Sequence, residues 1–268
     1  MNGGLFRIFH TKVTTFDRCR KRYWFRYVSG LPWPEQIPSD GGIIGTGVHR
    51  AMKRLCDTGH AADGSQELDA YLRMPAHESV GPGTDRNKLA FELFERGSAA
   101  HASIAADEST AEVRAVLPRW HCGVQIEASI DRADRLAPDR WQVIDWKTGL
   151  MDNDVETDAQ LDIGHVALRT VRALPAAATV RAIAWNLRTG RQRVRELLRD
   201  DAANTVGYLE RLAVKIRETT EFPATPSGLC SYCEWRPQCP EAAPLAPGAA
   251  AWLDEDPGGA VGEAAETP

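Results

Sequence analysis

Apolar and polar positions alternate most clearly in the middle of the chain. Val124, Ile126, Ala128 and Ile130 interleave with Gln125, Glu127, Ser129 and Asp131. A period of two marks a strand with one face turned to a core. After a turn at Ala137-Pro138-Asp139, Val143 and Asp145 alternate with Ile144 and Trp146, so the two runs predict a β-hairpin. Val180 to Leu187 predicts a third strand, Thr189-Gly190 a turn, and Gln192 to Leu197 either a fourth strand or a helix start. Helical spacing runs from about Val48 to Cys56, from Lys88 to Ala106 (Leu89, Leu93 and Phe94 on one side), from about Val155 to Arg172, and over residues 200–218. The stretch 41–47, Gly-Gly-Ile-Ile-Gly-Thr-Gly, reads as a glycine-rich turn. Residues 57–87, rich in Gly, Pro and Asp, read as a variable insertion.

Length and charge narrow this picture modestly. The chain has 268 residues and is 43% hydrophobic, enough for one large domain with appendages. No apolar run is long enough to predict a transmembrane helix. Met1 to Lys12 lacks the apolar core of a signal peptide, so a cytoplasmic location without a membrane partner is expected. The net charge is −5, but residues 241–268 hold six acids and no Lys or Arg. Without that Ala-, Pro- and Gly-rich tail, which predicts disorder, the body is close to neutral. Neutrality permits DNA binding without arguing for it.

The hairpin also carries candidate chemistry. Asp131 ends its first strand, and Asp145 and Lys147 sit two apart on the second, so they share a face. Two carboxylates on adjacent strands can share a divalent ion, and the ammonium can orient water and balance charge at a phosphate. The plain alternative is a solvated strand end.

The segments Ser129-Ile-Asp-Arg-Ala-Asp134 and Val143-Ile-Asp-Trp-Lys-Thr-Gly149 resemble the paired motifs of RecB-like nucleases of the PD-(D/E)XK superfamily. The resemblance implies an α/β fold with a mixed central sheet flanked by helices. It implies Mg²⁺ or Mn²⁺ bound by Asp131 and Asp145, with the backbone carbonyl of Trp146 as a further ligand, and Lys147 as a catalytic residue. Gly45-Thr-Gly-Val-His49 is similar to the family's G-x-x-x-H motif, making His49 a metal ligand; by itself a helical His is more often structural. Gln160 matches the first position of the Q-x-x-x-Y motif on the helix after the lysine strand, and Gly164 stands where the tyrosine would be. Ala128 also departs, standing where a glycine is usual. Glu112, at an acidic position of some relatives, reads as a surface residue.

Of six cysteines, Cys230, Cys233 and Cys239 form a compact group with Pro237 and Pro240 around it. Such spacing in a chain without secretion signals points to metal. Cys56 and Cys122 read as small buried hydrophobes. Cys19, in Thr14-Thr-Phe-Asp-Arg-Cys-Arg-Lys-Arg-Tyr-Trp-Phe-Arg-Tyr27, resembles the N-terminal cysteine of iron–sulfur nucleases related to AddB and to the CRISPR adaptation nucleases, with Arg20 in place of their proline. That resemblance implies a [4Fe–4S] cluster on Cys19, Cys230, Cys233 and Cys239, clamping residues 1–240 into one nuclease domain. Four thiolates also suit Zn²⁺, and ligand chemistry alone does not separate the two.

Seven basic residues lie between Arg7 and Tyr27, interleaved with aromatics. Arg20, Lys21 and Arg22 are the expected DNA contacts; the alternative is that the rings pack in a core while the basic groups face water. No Walker A sequence occurs, so a helicase or other motor is expected as a partner. The expectation is therefore a metal-dependent DNA nuclease, an exonuclease before an endonuclease. Its rival is an inactive, metal-clamped DNA-binding module or partner subunit.

Overall fold

The computed structural model describes residues 6–34, 39–117, 124–150 and 154–242. Contacts divide the chain into two units, one of residues 1–14 and 37–219, the other of residues 15–36 and 220–268. Cys122, where a buried cysteine is expected, and residues 243–268 of the expected disordered tail lie outside the described residues, whereas the tail's first two residues are ordered in a 3₁₀ turn, Pro240–Ala242, with Ala242 buried.

The larger unit is built on a six-stranded mixed sheet: β1 (Phe6–Ile8), β2 (Glu108–Val116), β3 (Val124–Ala137), β4 (Arg140–Lys147), β5 (Thr179–Asn186) and β6 (Gln192–Leu197). The order is β1-β3-β4-β5-β6, with β2 also paired to β3. Helix α1 (His10–Arg18) follows β1. The smaller unit holds the next helix, α2 (Arg20–Tyr27). The β3–β4 ladder is the expected antiparallel hairpin, from Ala137 opposite Arg140 to Arg132 opposite Ile144. Strand alternation divides β4. Ile144 and Trp146 join the core formed with α3 (Asp40–Thr58), α4 (Ala61–Leu72) and α5 (Asp85–Ala102). β4 and β5 run parallel, and the crossover between them is α6 (Asp154–Val171), as parallel neighbours require. Asp145 and Lys147 point to the α6 side. Gln192 to Leu197 is a strand, paired antiparallel with β5, and α7 (Arg199–Glu218) follows it.

Three expectations change. Gly41 to Gly47 is not a turn but the first turns of α3, capped by Ser39, whose Oγ accepts from the Gly42 N–H at 3.2 Å. Ile43, Ile44, Val48 and Ala51 are buried there, so burial at helical spacing outweighs the poor helix propensity of glycine. The stretch 57–87 is largely helical, because α4 and a 3₁₀ segment, Pro75–Val80, deliver Leu68, Leu72 and Val80 to the core. Cys56 is half-buried, not fully buried. The short strand β1 and the longer β2 carry too little alternation to be read from sequence.

The smaller unit joins two segments remote in sequence. Its helix α2 buries Tyr23 and Phe25. The Phe25 ring stacks on Trp235 at 5.3 Å, and Tyr23 on Phe222 at 6.3 Å. The backbone N–H of Lys21 donates to the Pro223 carbonyl at 3.1 Å, and Arg22 pairs with Glu234 at 2.7 Å.

Candidate active site

The site is assembled where β3, β4, α3 and α6 meet in the larger unit. The β3–β4 ladder ends at the Arg132–Ile144 pair, and Asp131 and Asp145 are the next residue on each strand. Their closeness follows from the hairpin register. Asp131 Oδ2 accepts the backbone N–H of Trp146 at 2.8 Å, which fixes this carboxylate to the facing strand. Trp146 thus enters the site through its peptide N–H, while its ring is buried beside Trp185.

Gly45 explains how His49 arrives. A Cβ on Gly45 would stand 3.0 Å from Thr148 Oγ1, so the glycine lets α3 approach the end of β4. His49 lies one helical turn later on the same face, with Nδ1 3.3 Å from Asp131 Oδ2. Burial opposes its protonation, but the Asp131 hydrogen bond and charge, with Asp145 behind them, raise its pKa above the ordinary value, against Lys147.

Gln160, on α6, bridges the remaining pair. Its Nε2 donates to Asp145 Oδ1, and its Oε1 accepts from Lys147 Nζ at 2.6 Å. Only this amide orientation satisfies both neighbours. Lys147 Nζ lies 2.7 Å from Asp145 Oδ2, yet that buried oxygen accepts no hydrogen bond of good geometry. Burial, reinforced by Asp131 and opposed by Lys147 and His49, pushes the Asp145 pKa up to about 6.

A buried carboxylate oxygen lacking a well-aligned donor, a second carboxylate and an imidazole form a donor set that suits Mg²⁺ or Mn²⁺. His49, Asp131 and Asp145 are the residues that could hold such an ion. Among the described residues, no three His, Cys, Asp or Glu side chains are already gathered at coordination distance.

In the smaller unit, Cys19, Cys230, Cys233 and Cys239 line one small cavity. Cys19 Sγ accepts the backbone N–H groups of Arg22 and Thr225 at 3.5 Å each, and Cys230 Sγ that of Ser227 at 3.4 Å. Donors aimed at sulfur are what a thiolate needs, and Cys19 and Cys230 have them, whereas Cys239 Sγ itself donates to Glu241 Oε2 at 3.4 Å and burial pushes the Cys233 and Cys239 thiols up. Of the expected DNA contacts, Arg22 is committed to Glu234. Arg20 lies over the Phe16 ring and Lys21 over Trp24 and Phe25. Phe16, Tyr23 and Phe25 are buried, as the core reading of that segment required.

Two features escape a reading of the sequence. Glu112, expected at the surface, is half-buried and has φ 46°, unusual for a non-glycine. It interrupts the β2–β3 ladder between Ala111–Arg132 and Val113–Ile130, opposite Asp131. The second is a buried cluster next to Asp131. Arg132 Nε donates to Asp134 Oδ1 at 2.8 Å, and Ser109 and Gln142 donate to the same carboxylate at 2.6 Å each. The signal for it was present, since Arg132 and Asp134 belong to the motif quoted for Asp131.

Residues 8–240 match the family profile of the PD-(D/E)XK nuclease superfamily. Curated relatives include ATP-dependent helicase/deoxyribonuclease subunits from three Streptococcus agalactiae strains, 24% identical over 152 residues. These cover 54% of this chain, which in turn spans only 14% of their length. Among solved structures, a protein of Eubacterium rectale assigned as an exonuclease superposes with a TM-score of 0.51 at 12% identity, covering 87% of this chain and 88% of that one. That likeness is one of fold.

Proposed function

Since the chain belongs to the PD-(D/E)XK nuclease superfamily, we propose that it is a metal-dependent deoxyribonuclease, acting as an exonuclease in DNA repair, recombination or the processing of phage or CRISPR-type DNA. The observation that carries this reading is the interlock of Asp131, Asp145, Lys147, Gln160 and His49 through one set of contacts. A scaffold that had lost its chemistry would have no need to keep two partly buried carboxylates beside an ammonium, an arrangement that carries a desolvation cost.

His49, Asp131, Asp145 and the Trp146 carbonyl would hold Mg²⁺ or Mn²⁺. The bound ion supplies polarisation of the phosphate and acidification of a water. Lys147 presents its ammonium to the attacking water and to charge that develops on the phosphate. Gln160 keeps Lys147 and Asp145 in one geometry, so that neither side chain must be reoriented during reaction. The Trp146 N–H holds Asp131 in the same way.

The four cysteines are proposed to carry a [4Fe–4S] cluster, with Zn²⁺ as the competing occupant, making residues 1–240 one clamped nuclease domain. Arg20 and Lys21 are proposed as phosphate contacts. The Streptococcus relatives are named as helicase/deoxyribonuclease subunits, which supports a helicase or other motor as partner. No helix among the described residues is long and apolar enough to cross a membrane.

Digestion of end-labelled single- and double-stranded DNA tests the proposal, with anaerobically prepared wild type and Lys147→Ala compared in Mg²⁺, Mn²⁺ and excess EDTA. Cleavage that needs metal and is lost in the variant is expected, and the product ladder gives direction and mode. Intact DNA with folded, cluster-loaded wild type overturns it in favour of a binding module.

A further inference from the structure

A cavity of about 340 Å³ opens beside the carboxylate site, within the larger unit. Its size is at the low end of the ~300–1,000 Å³ usual for small-ligand sites. Phe9, Thr11, Arg114, Ser129, Gln160 and Gly164 all contribute to its lining. Gln160 is also the residue that bridges Asp145 and Lys147. The cavity therefore borders the carboxylate site at Gln160 and extends one helical turn along α6 to Gly164.

Gly164 is the telling residue. It lies inside an 18-residue helix, where glycine is the least favourable residue after proline. No positive φ requires it. Crowding does not require it either, because a Cβ there would meet only Ile130 and Val143, at ordinary contact distances of 3.8 and 3.9 Å. Gly164 lines the open space of the cavity, which a large side chain there would reduce. The chemistry around that space suits a nucleobase. Phe9 and the exposed Val116 offer apolar surface, the exposed Ser129 hydroxyl can meet a base edge, and the exposed Arg114 can meet a backbone phosphate. The one carboxylate of the lining, Glu127, is paired with Arg7 at 3.2 Å.

We propose that this cavity is a base pocket. It receives the unstacked nucleobase of a nucleotide adjoining the scissile phosphate, and so selects single-stranded or frayed DNA ends. A base in an intact duplex would first have to be unpaired, unstacked and extruded, which opposes its binding. The inference rests on the nuclease reading.

The test is binding of a single-stranded oligonucleotide to Lys147→Ala protein in Mg²⁺, read by fluorescence anisotropy. An abasic site is stepped through the strand one nucleotide at a time. One position is expected to weaken binding about fivefold or more, with changes under about twofold elsewhere. In the same protein, 2-aminopurine at that position should change its emission on binding, which needs no further substitution. Gly164→Tyr should lower the affinity of the intact strand to that of its abasic counterpart. Losses equal at every position, or 2-aminopurine emission that does not depend on position, overturn the pocket and leave the DNA reading standing. Failure of the folded protein to bind any strand at low salt overturns the nuclease reading, and the pocket with it.

Discussion

Removing Asp134 tests whether the hairpin that carries Asp131 and Asp145 depends on a buried charge pair. Asp134 is fully buried and Arg132 is 3% exposed. The carboxylate accepts from Arg132 Nε, Ser109 Oγ and Gln142 Nε2, and Arg132 Nη1 also meets His101 Nδ1 at 2.6 Å. Arginine cannot discharge itself by losing a proton. Asp134→Ala therefore leaves a buried guanidinium without its counter-charge, at a cost of about 3–5 kcal/mol. That is a large part of the ~5–15 kcal/mol by which proteins are stable. With an m-value of roughly 3 kcal/mol per M, the urea midpoint should fall by about 1 M or more. Arg132→Met combined with Asp134→Leu removes both charges and replaces them with apolar volume, which is often neutral or better. The double variant should thus be the more stable of the two. Urea titrations followed by tryptophan fluorescence and circular dichroism measure both. A loss under about 1 kcal/mol in Asp134→Ala, or a double variant as unstable as the single, would refute the reasoning.

Three further outcomes follow from the geometry. Gln160→Ala frees Lys147 and Asp145 together, and should cut cleavage by about 10–100-fold without moving the thermal midpoint; Gln160→Glu should stay defective, because it keeps the acceptor for Lys147 but sets a second carboxylate against Asp145. His165 is buried, and burial, then the Arg169 charge, hold its pKa down to about 4 against 6.5 in the unfolded chain. The unfolded state then binds more protons between those values, so this contribution is complete above pH ~6.5 and is lost as pH falls toward 4, on the order of 3 kcal/mol. Asp145, raised by burial, acts in the opposite direction over part of that window, so the measurement is the difference between wild type and His165→Gln in urea titrations at about pH 7 and pH 5; curves that fall in parallel count against the assignment. Anaerobic wild type should carry iron and sulfide with visible absorbance, and Cys230→Ser should lose both colour and stability; a variant of unchanged colour and stability sinks the cluster.

The hairpin was legible because its chemistry and its periodicity coincide. Alternation in Val124 to Ile130 and in Val143 to Trp146 fixes which side chains face which layer, and register then brings Asp131 to Asp145. His49 was legible only through its motif, since nothing local says that a glycine-rich stretch continues a helix. That depends on Gly45 meeting Thr148, a contact between residues remote in sequence. The same holds for residues 57–87. Their composition suggests a loop, and their helices are stabilised by burial of Leu68, Leu72 and Val80 against partners that a local reading does not see. β2 stayed hidden for a further reason, because Glu112 breaks the alternation just where it would have been recognised.

Gly164 separates two kinds of departure from a family pattern. At Ala128 a small residue replaces another small residue, and the strand continues beside the site. At Gly164 a large ring is replaced by nothing, in a helix that would be more stable with almost any side chain. Yet every contact that organises the reacting groups is made by other residues: Gln160 to Asp145 and Lys147, His49 and Trp146 to Asp131. Gly164 therefore leaves the contacts among the carboxylates, lysine and histidine in place and bears only on the space next to them. The lining of that space combines apolar surface, a hydroxyl and an exposed arginine in a cavity that shares Gln160 with the candidate site. A difference confined to the space beside an unaltered set of contacts is what altered substrate selection requires.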